Sequence, residues 1–272
     1  MERIISSNGV VYYRSKLIPC PHGFSTRLGG VSILEHTKSL NLGVDRGDEK
    51  ETVLKNLKLF ADAVGFSPKE VISVPQIHSS YVRYVTEDNA GEGFYCEPTD
   101  ACDGYITDRQ GVVLGVRTAD CVPILLYAAP HNGFGGAVAA VHAGWRGTVS
   151  KIVINAIDKI IEKGAGLQEI KVAIGPAIEK CCYEVRDDFY HSFKEFAGEE
   201  ITEKFVKSDT VRDGVWWADL KGVNRELLIQ RGIPRENIDV CELCTCCMPD
   251  EFYSHRYTKG KRGTMLSVIT LT

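Results

Sequence analysis

Three residues of this 272-residue chain combine the donor types of a catalytic zinc site: His78, Cys121 and His142. Zinc accepts imidazole nitrogen and thiolate sulfur, and three protein ligands leave a fourth position for water or substrate. Each residue sits where an apolar run meets polar or turn-forming residues: Gln76-Ile-His78, Arg117-Thr-Ala-Asp-Cys121, and Val138-Ala-Ala-Val-His142-Ala-Gly-Trp-Arg-Gly-Thr148. Such strand ends are where functional residues gather. The separations are too long for a short-range ligand box, so spacing alone does not select a metal. The same residues also fit a cysteine hydrolase, with Cys121 as nucleophile and His142 as base, or a purely structural role. Our expectation is that the three converge on one ion.

Positioning such residues needs strands and the turns between them. Apolar alternation predicts strands at Val10 to Tyr13, Leu17-Ile18, Val71 to Val74, Tyr81 to Val85, Val112 to Val116, Val122 to Tyr127, Ile170 to Ile174 and Met265 to Leu271. Pro123 points to an edge or a bulge in its strand. The glycines of His22 to Gly30 read as a loop, and Glu87 to Pro98 as an exposed loop. Helical spacing places one helix after an Asp48 cap, ending at Gly65, and a second from Thr148 to Gly164. Phe189, Phe193 and Phe196 fall on one helical face, and a further helix opens near Asp219. Interleaved but irregular elements indicate an α+β fold, a single domain with mixed β-sheets flanked by helices.

The composition is 44% hydrophobic and 25% charged, with a net charge of -4. That balance gives no footprint for nucleic acid or an anionic membrane. No apolar run approaches the roughly 20 residues of a membrane span, and no secretory leader is visible. The expected location is cytoplasmic. Ten cysteines without such a leader suggest metal ligands, reactive thiols or buried apolar residues rather than disulfides.

Several motifs, in this order, resemble the YfiH/YlmD family, known both as laccase-domain or polyphenol oxidase proteins and as purine nucleoside phosphorylases. They are Phe24-Ser-Thr-Arg27-Leu-Gly-Gly-Val-Ser32, Leu40-Asn41-Leu-Gly43, Gln76-Ile-His78, Thr118-Ala-Asp-Cys-Val-Pro123, His142-Ala-Gly-Trp-Arg-Gly147, Ile174-Gly-Pro-Ala-Ile178 with Cys182-Tyr-Glu-Val185, and Cys244-Thr-Cys-Cys with Phe252 to Arg256. The resemblance implies a layered α+β fold and zinc ligands at His78, Cys121 and His142. It also implies phosphorolysis of adenosine, inosine and 5′-methylthioadenosine, and deamination of adenosine. The partners are then a purine nucleoside and phosphate.

Phosphorolysis requires an anion holder and close placement of the reactants. Arg146, in the turn before the Thr148 helix, is one candidate for phosphate, and Arg27 and Arg256 are others. Asn41 and Gln76 are candidates for hydrogen bonds to ribose or base. Asp120 neighbours Cys121 and, in an extended strand, points to the opposite face, which favours a structural role. Copper with a phenolic substrate is the alternative carried by the laccase name. Cys241, Cys244, Cys246 and Cys247 read as buried thiols near the site, although Cys181 and Cys182 could complete a second metal set in space. Gly260-Lys-Arg-Gly263 reads as a solvated turn, and Trp216-Trp217 as packing.

Overall fold

Two neighbouring strands, Val122–Ala128 and Ala137–Ala143, are buried along their whole length. Continuous burial of this kind requires cover on both faces of a sheet. The structure, a computed structural model, describes residues 1–131 and 133–272. The two strands form the centre of a six-stranded sheet with Ile238–Val240 and Lys171–Ile174 on one side, Gly104–Thr107 and Val82–Tyr84 on the other. A second six-stranded sheet runs Glu2–Ile5, Val11–Arg14, His22–Ser25, Met265–Thr270, Val113–Thr118, Val71–Ile72. Both sheets mix parallel and antiparallel pairs.

Strand alternation sorts the apolar side chains into layers. Ile124, Leu126, Ala139 and Val141 share a core with Ile152, Val153, Ala156, Ile157 and Ile160 of the helix Ile152–Glu162. Leu125, Tyr127, Val138 and Ala140, on the opposite face, meet Leu114, Val116 and Ile269 of the second sheet. The outer face of that sheet, with Tyr12, Val113 and Val268, packs on Val53, Leu57 and Phe60 of the helix Lys50–Val64. The order is therefore helix, sheet, sheet, helix, an α+β fold with mixed sheets flanked by helices. A small sheet of Glu184–Arg186, Val215–Ala218 and Val206–Ser208 lies beside the helices Asp187–Ala197 and Glu199–Phe205. There Trp216 stacks on Tyr190 with ring centroids 3.7 Å apart.

Several local expectations are corrected. His22–Ser25 is a buried strand, not a loop, because Gly23 lies against Tyr12, where a Cβ would come within 2.9 Å of the ring. The first helix is entered from Glu49; Asp48 instead accepts hydrogen bonds from Ser32, Thr37 and Asn41. The Thr148 helix is two pieces, Trp145–Val149 and Ile152–Glu162, broken at Lys151, whose backbone is left-handed. Pro123 is not on an edge: its strand pairs on both sides, and the proline sits at the second residue. Glu92, in the segment read as exposed, is buried against Arg83 at 2.6 Å. Phe196 is exposed, unlike Phe189 and Phe193. Among the described residues no helix is long and apolar enough to cross a membrane.

Candidate metal centre

The donors meet where the two sheets part. His142 has the same parity as Val138 and Ala140, so its strand aims it between the sheets. Cys121 precedes its strand in the parity of Leu125 and Tyr127 and is aimed the same way. Past the last packed side chains this inter-sheet space opens to a cleft of about 310 Å³. His78 arrives from the loop after Val71–Ile72 with a left-handed backbone, φ 60°. One donor atom from each of His78, Cys121 and His142 lies within 4.8 Å of the others. The two imidazole rings stand at 82° with centroids 5.0 Å apart. Gly144 closes the back of the group: a Cβ there would come within 2.8 Å of the His78 ring.

Asp103 holds this arrangement together, and nothing in its sequence context marked it as more than a turn residue. Its buried carboxylate accepts from His142 Nδ1 at 2.8 Å and from the backbone N–H groups of Ile77, His78 and Ser79 at 3.2, 3.0 and 2.6 Å. The Ser79 hydroxyl adds a bond at 2.8 Å. The contact to Nδ1 leaves His142 Nε2 for an ion, the carboxylate–histidine relay that orients metal-bound imidazoles. The bonds to residues 77–79 fix the loop carrying the other imidazole. Burial works to raise the Asp103 pKa, but His142 and Ser79 outweigh it and hold the carboxyl at about 2. Burial likewise opposes charge on Cys121 and His142, yet each stabilises the other: the thiol is lowered and the imidazole raised. In such a thiolate–imidazolium pair the sulfur is already ionised, and a divalent cation that binds would displace the proton on the imidazole. The donor set therefore fits zinc with one side open to the cleft.

The cleft is cationic. Arg46, Arg117 and Arg262 line it together with Asp45, Gln76 and Thr264. Arg117 donates to the carbonyls of Ser73 and Val74, so its guanidinium is committed to the scaffold. Arg46 donates to Thr264 at 3.3 Å and lies 3.3 Å from Asp45. Arg262 reaches Thr264 at 3.1 Å, but its Nε is buried without a partner. The Gly260 to Gly263 segment is thus no solvated turn at Arg262. A Lys-Arg pair between glycines carried no sequence signal of burial; the place of Arg262 depends on Met265–Thr270 pairing in the middle of a sheet.

Of the other residues singled out from sequence, only Gln76 lines the cleft, and both ends of its amide bond the Arg117 backbone. Arg27 donates to the carbonyls of Lys38 and Pro249 and lies over Tyr253, away from the triad. Buried Asn41 is occupied by Gly43, Asp48 and Thr264. Arg256 donates to the carbonyls of Cys182 and Glu184. Arg146 is exposed over the Trp145 ring on a five-residue helix. Asp120 accepts from the Thr245 hydroxyl at 2.6 Å and the Arg256 backbone at 2.7 Å, which ties the Cys121 turn to the C-terminal segment.

The family described as multi-copper polyphenol oxidoreductase laccase matches residues 21–272, and the chain belongs to it. It is 34% identical over 250 residues to purine nucleoside phosphorylase YlmD of Bacillus subtilis (strain 168), covering 91% of this chain and 87% of that protein. It is 31% identical over 246 residues to adenosine deaminase RL5 of an unknown prokaryotic organism, covering 89% and 90%. The crystal structure of the Bacillus licheniformis hypothetical protein YfiH superposes with a TM-score of 0.88 at 32% identity, over 99% of both chains.

Proposed function

We propose that this member of the family is a zinc-dependent purine nucleoside phosphorylase. It would convert adenosine, inosine and 5′-methylthioadenosine, with phosphate, to the free purine and the corresponding ribose 1-phosphate, and deaminate adenosine as a second activity. One observation carries the reading: the three donors form the floor of a cleft whose wall holds Arg46 and a partly unpartnered Arg262. The names of the relatives, a phosphorylase and a deaminase, agree with it.

In this reading His78, Cys121 and His142 would hold the ion, which would supply Lewis-acid chemistry to the reaction. Asp103 keeps His142 in the tautomer with Nε2 free and fixes the backbone of the His78 loop. Arg262 and Arg46, on the cleft wall, hold phosphate. The C1′–N bond to the purine breaks, a C1′–O bond to phosphate forms, and the proton lost by the attacking hydrogen phosphate balances the one the departing base gains. The ribosyl group should pass through an oxocarbenium-like state, so placing phosphate close to C1′ is the main work of the cleft.

The copper-oxidase reading rests on the family's description, and the cysteine-hydrolase reading on the lowered Cys121 thiol. One experiment separates them all. Zinc-loaded protein given inosine and phosphate should yield hypoxanthine and ribose 1-phosphate in equal amounts. Hypoxanthine formed at the same rate without phosphate, or alkylation of Cys121 in the zinc-loaded protein, would overturn the phosphorylase assignment.

A further inference from the structure

A second donor cluster lies on the turns that follow two strands of the first sheet. Cys244-Thr-Cys-Cys247 contains a Cys-x-x-Cys pair in a turn after Ile238–Val240, and Cys181-Cys182 lies in a turn after Lys171–Ile174. Those two strands pair in parallel, and the bridge Ala177–Cys244 with the bond from Thr245 N to Ala177 O continues the pairing to the turns. The sulfurs of Cys181, Cys182, Cys244 and Cys247 all lie within 4.8 Å of one another. Cys247 is 3.5 Å from Cys181 and 3.3 Å from Cys182. Four sulfurs around one zinc, each at its usual bond length, lie about 3.8 Å apart, so small side-chain rotations reach that geometry. The Glu179 backbone N–H donates to Cys244 Sγ at 3.4 Å, a contact that favours a thiolate. All ten cysteines are free thiols.

We propose that Cys181, Cys182, Cys244 and Cys247 form a second, all-thiolate zinc site whose role is structural. Four ligands close the coordination shell and leave no position for a substrate. The thiols release their protons as the ion binds. Cys246 is not one of the four donors. The site joins the 181–184 turn, whose Cys182 and Glu184 carbonyls hold the Arg256 guanidinium, to the 244–247 turn, whose Thr245 holds Asp120 beside Cys121. Its purpose is to lock these two segments behind the catalytic cleft.

The test is independent of turnover. Protein purified under reducing conditions, saturated with zinc and freed of excess ion should lose one zinc per chain on Cys181→Ser/Cys247→Ser substitution. It should lose none on Cys246→Ser substitution. A second measurement holds even if the double variant fails to fold. Cys121→Ser protein, whose cleft offers no thiolate, should bind cobalt(II) with strong sulfur-to-metal charge-transfer absorption. With one equivalent of zinc its shell should be dominated by sulfur in X-ray absorption. Equal zinc in wild type and a folded double variant would overturn the proposal, as would a zinc shell without sulfur in the Cys121→Ser protein. A metal-free Cys247 disulfide to Cys181 or Cys182, or iron in place of zinc, would do the same.

Discussion

The two donor clusters of this molecule are built to opposite plans. His78, Cys121 and His142 mix nitrogen and sulfur, hang from a loop, a turn and a central strand, and face an arginine-lined cleft. Cys181, Cys182, Cys244 and Cys247 are sulfur alone and sit on two tethered turns, with Cys181 and Cys247 exposed. The first group is oriented by a buried carboxylate that also fixes a backbone; for the second, a backbone N–H donates directly to a sulfur. Three donors with an open side suit chemistry, and four closed donors suit a staple. Position in the fold decides which: the triad lies where two sheets separate, and the thiols lie where two turns are held together.

The contrast breaks most sharply at the ligands. Cys121→Ser should cut phosphorolytic kcat/KM by roughly a thousandfold or more, because an ion supplies several kcal/mol of charge stabilisation. Its thermal midpoint should change little. Cys181→Ser/Cys247→Ser should do the reverse, lowering the midpoint by several degrees while turnover stays within about tenfold. Steady-state kinetics and calorimetry on both proteins read this directly, and the same pattern in both would erase the distinction.

Asp103 gives a smaller effect that sharpens the comparison. Asp103→Asn should weaken zinc at the triad by roughly ten- to a hundredfold and leave the thiolate cluster loaded, as competition with a chelator would show. It should also alter acid stability. The carboxyl is held near 2, below its ordinary 3.8. A depressed native pKa stabilises the fold fully above the unfolded value, and this contribution fades as pH falls toward the native value. Denaturant midpoints of metal-free wild type should therefore drop between these two pH values more steeply than those of Asp103→Asn.

The smallest difference concerns two arginines. Arg262→Gln should raise the KM for phosphate by roughly tenfold or more, the cost of one charged hydrogen bond. Arg27→Gln should leave that KM within about twofold and instead lower stability by roughly 1–3 kcal/mol, because its bonds go to backbone carbonyls. Phosphate kinetics and urea unfolding of the pair decide the matter.

How far each feature could be read from residues alone follows from the same geometry. The strands Val122–Ala128, Lys171–Ile174 and Met265–Thr270 and the helix Lys50–Val64 were legible because their apolar periods are strong. Leu17-Ile18, by contrast, forms no strand, and the short strands His22–Ser25 and Gly104–Thr107, read as loop and turn, owe their state to their pairing partners. The donors of the triad were visible by type and by their place at strand ends. Asp103 was not. Its link to His142 depends on Gly104 pairing with Val141, an inter-strand register that no local pattern encodes. The Asp103-Gly104 step therefore read as a turn. The burial of Arg262 was missed for a related reason: an arginine in a glycine-rich segment looks alike whether tertiary contacts turn it to carbonyls, as at Arg27, or to a cleft. Pro123 looked like an edge marker, yet its position near the strand start lets an interior strand accept it.

One consequence follows from the way Asp103 gathers the backbone of residues 77–79 and the ring at 142. No two triad donors are neighbours in the chain, so a nascent polypeptide offers them no chelate. Loading of the cleft must wait until the 137–143 segment has emerged during synthesis and zipped onto its partner. Cys244 and Cys247 emerge later, but once out their short spacing can capture an ion before the chain around them folds. In a cell poor in zinc, the staple and the reaction centre would therefore fill by different routes.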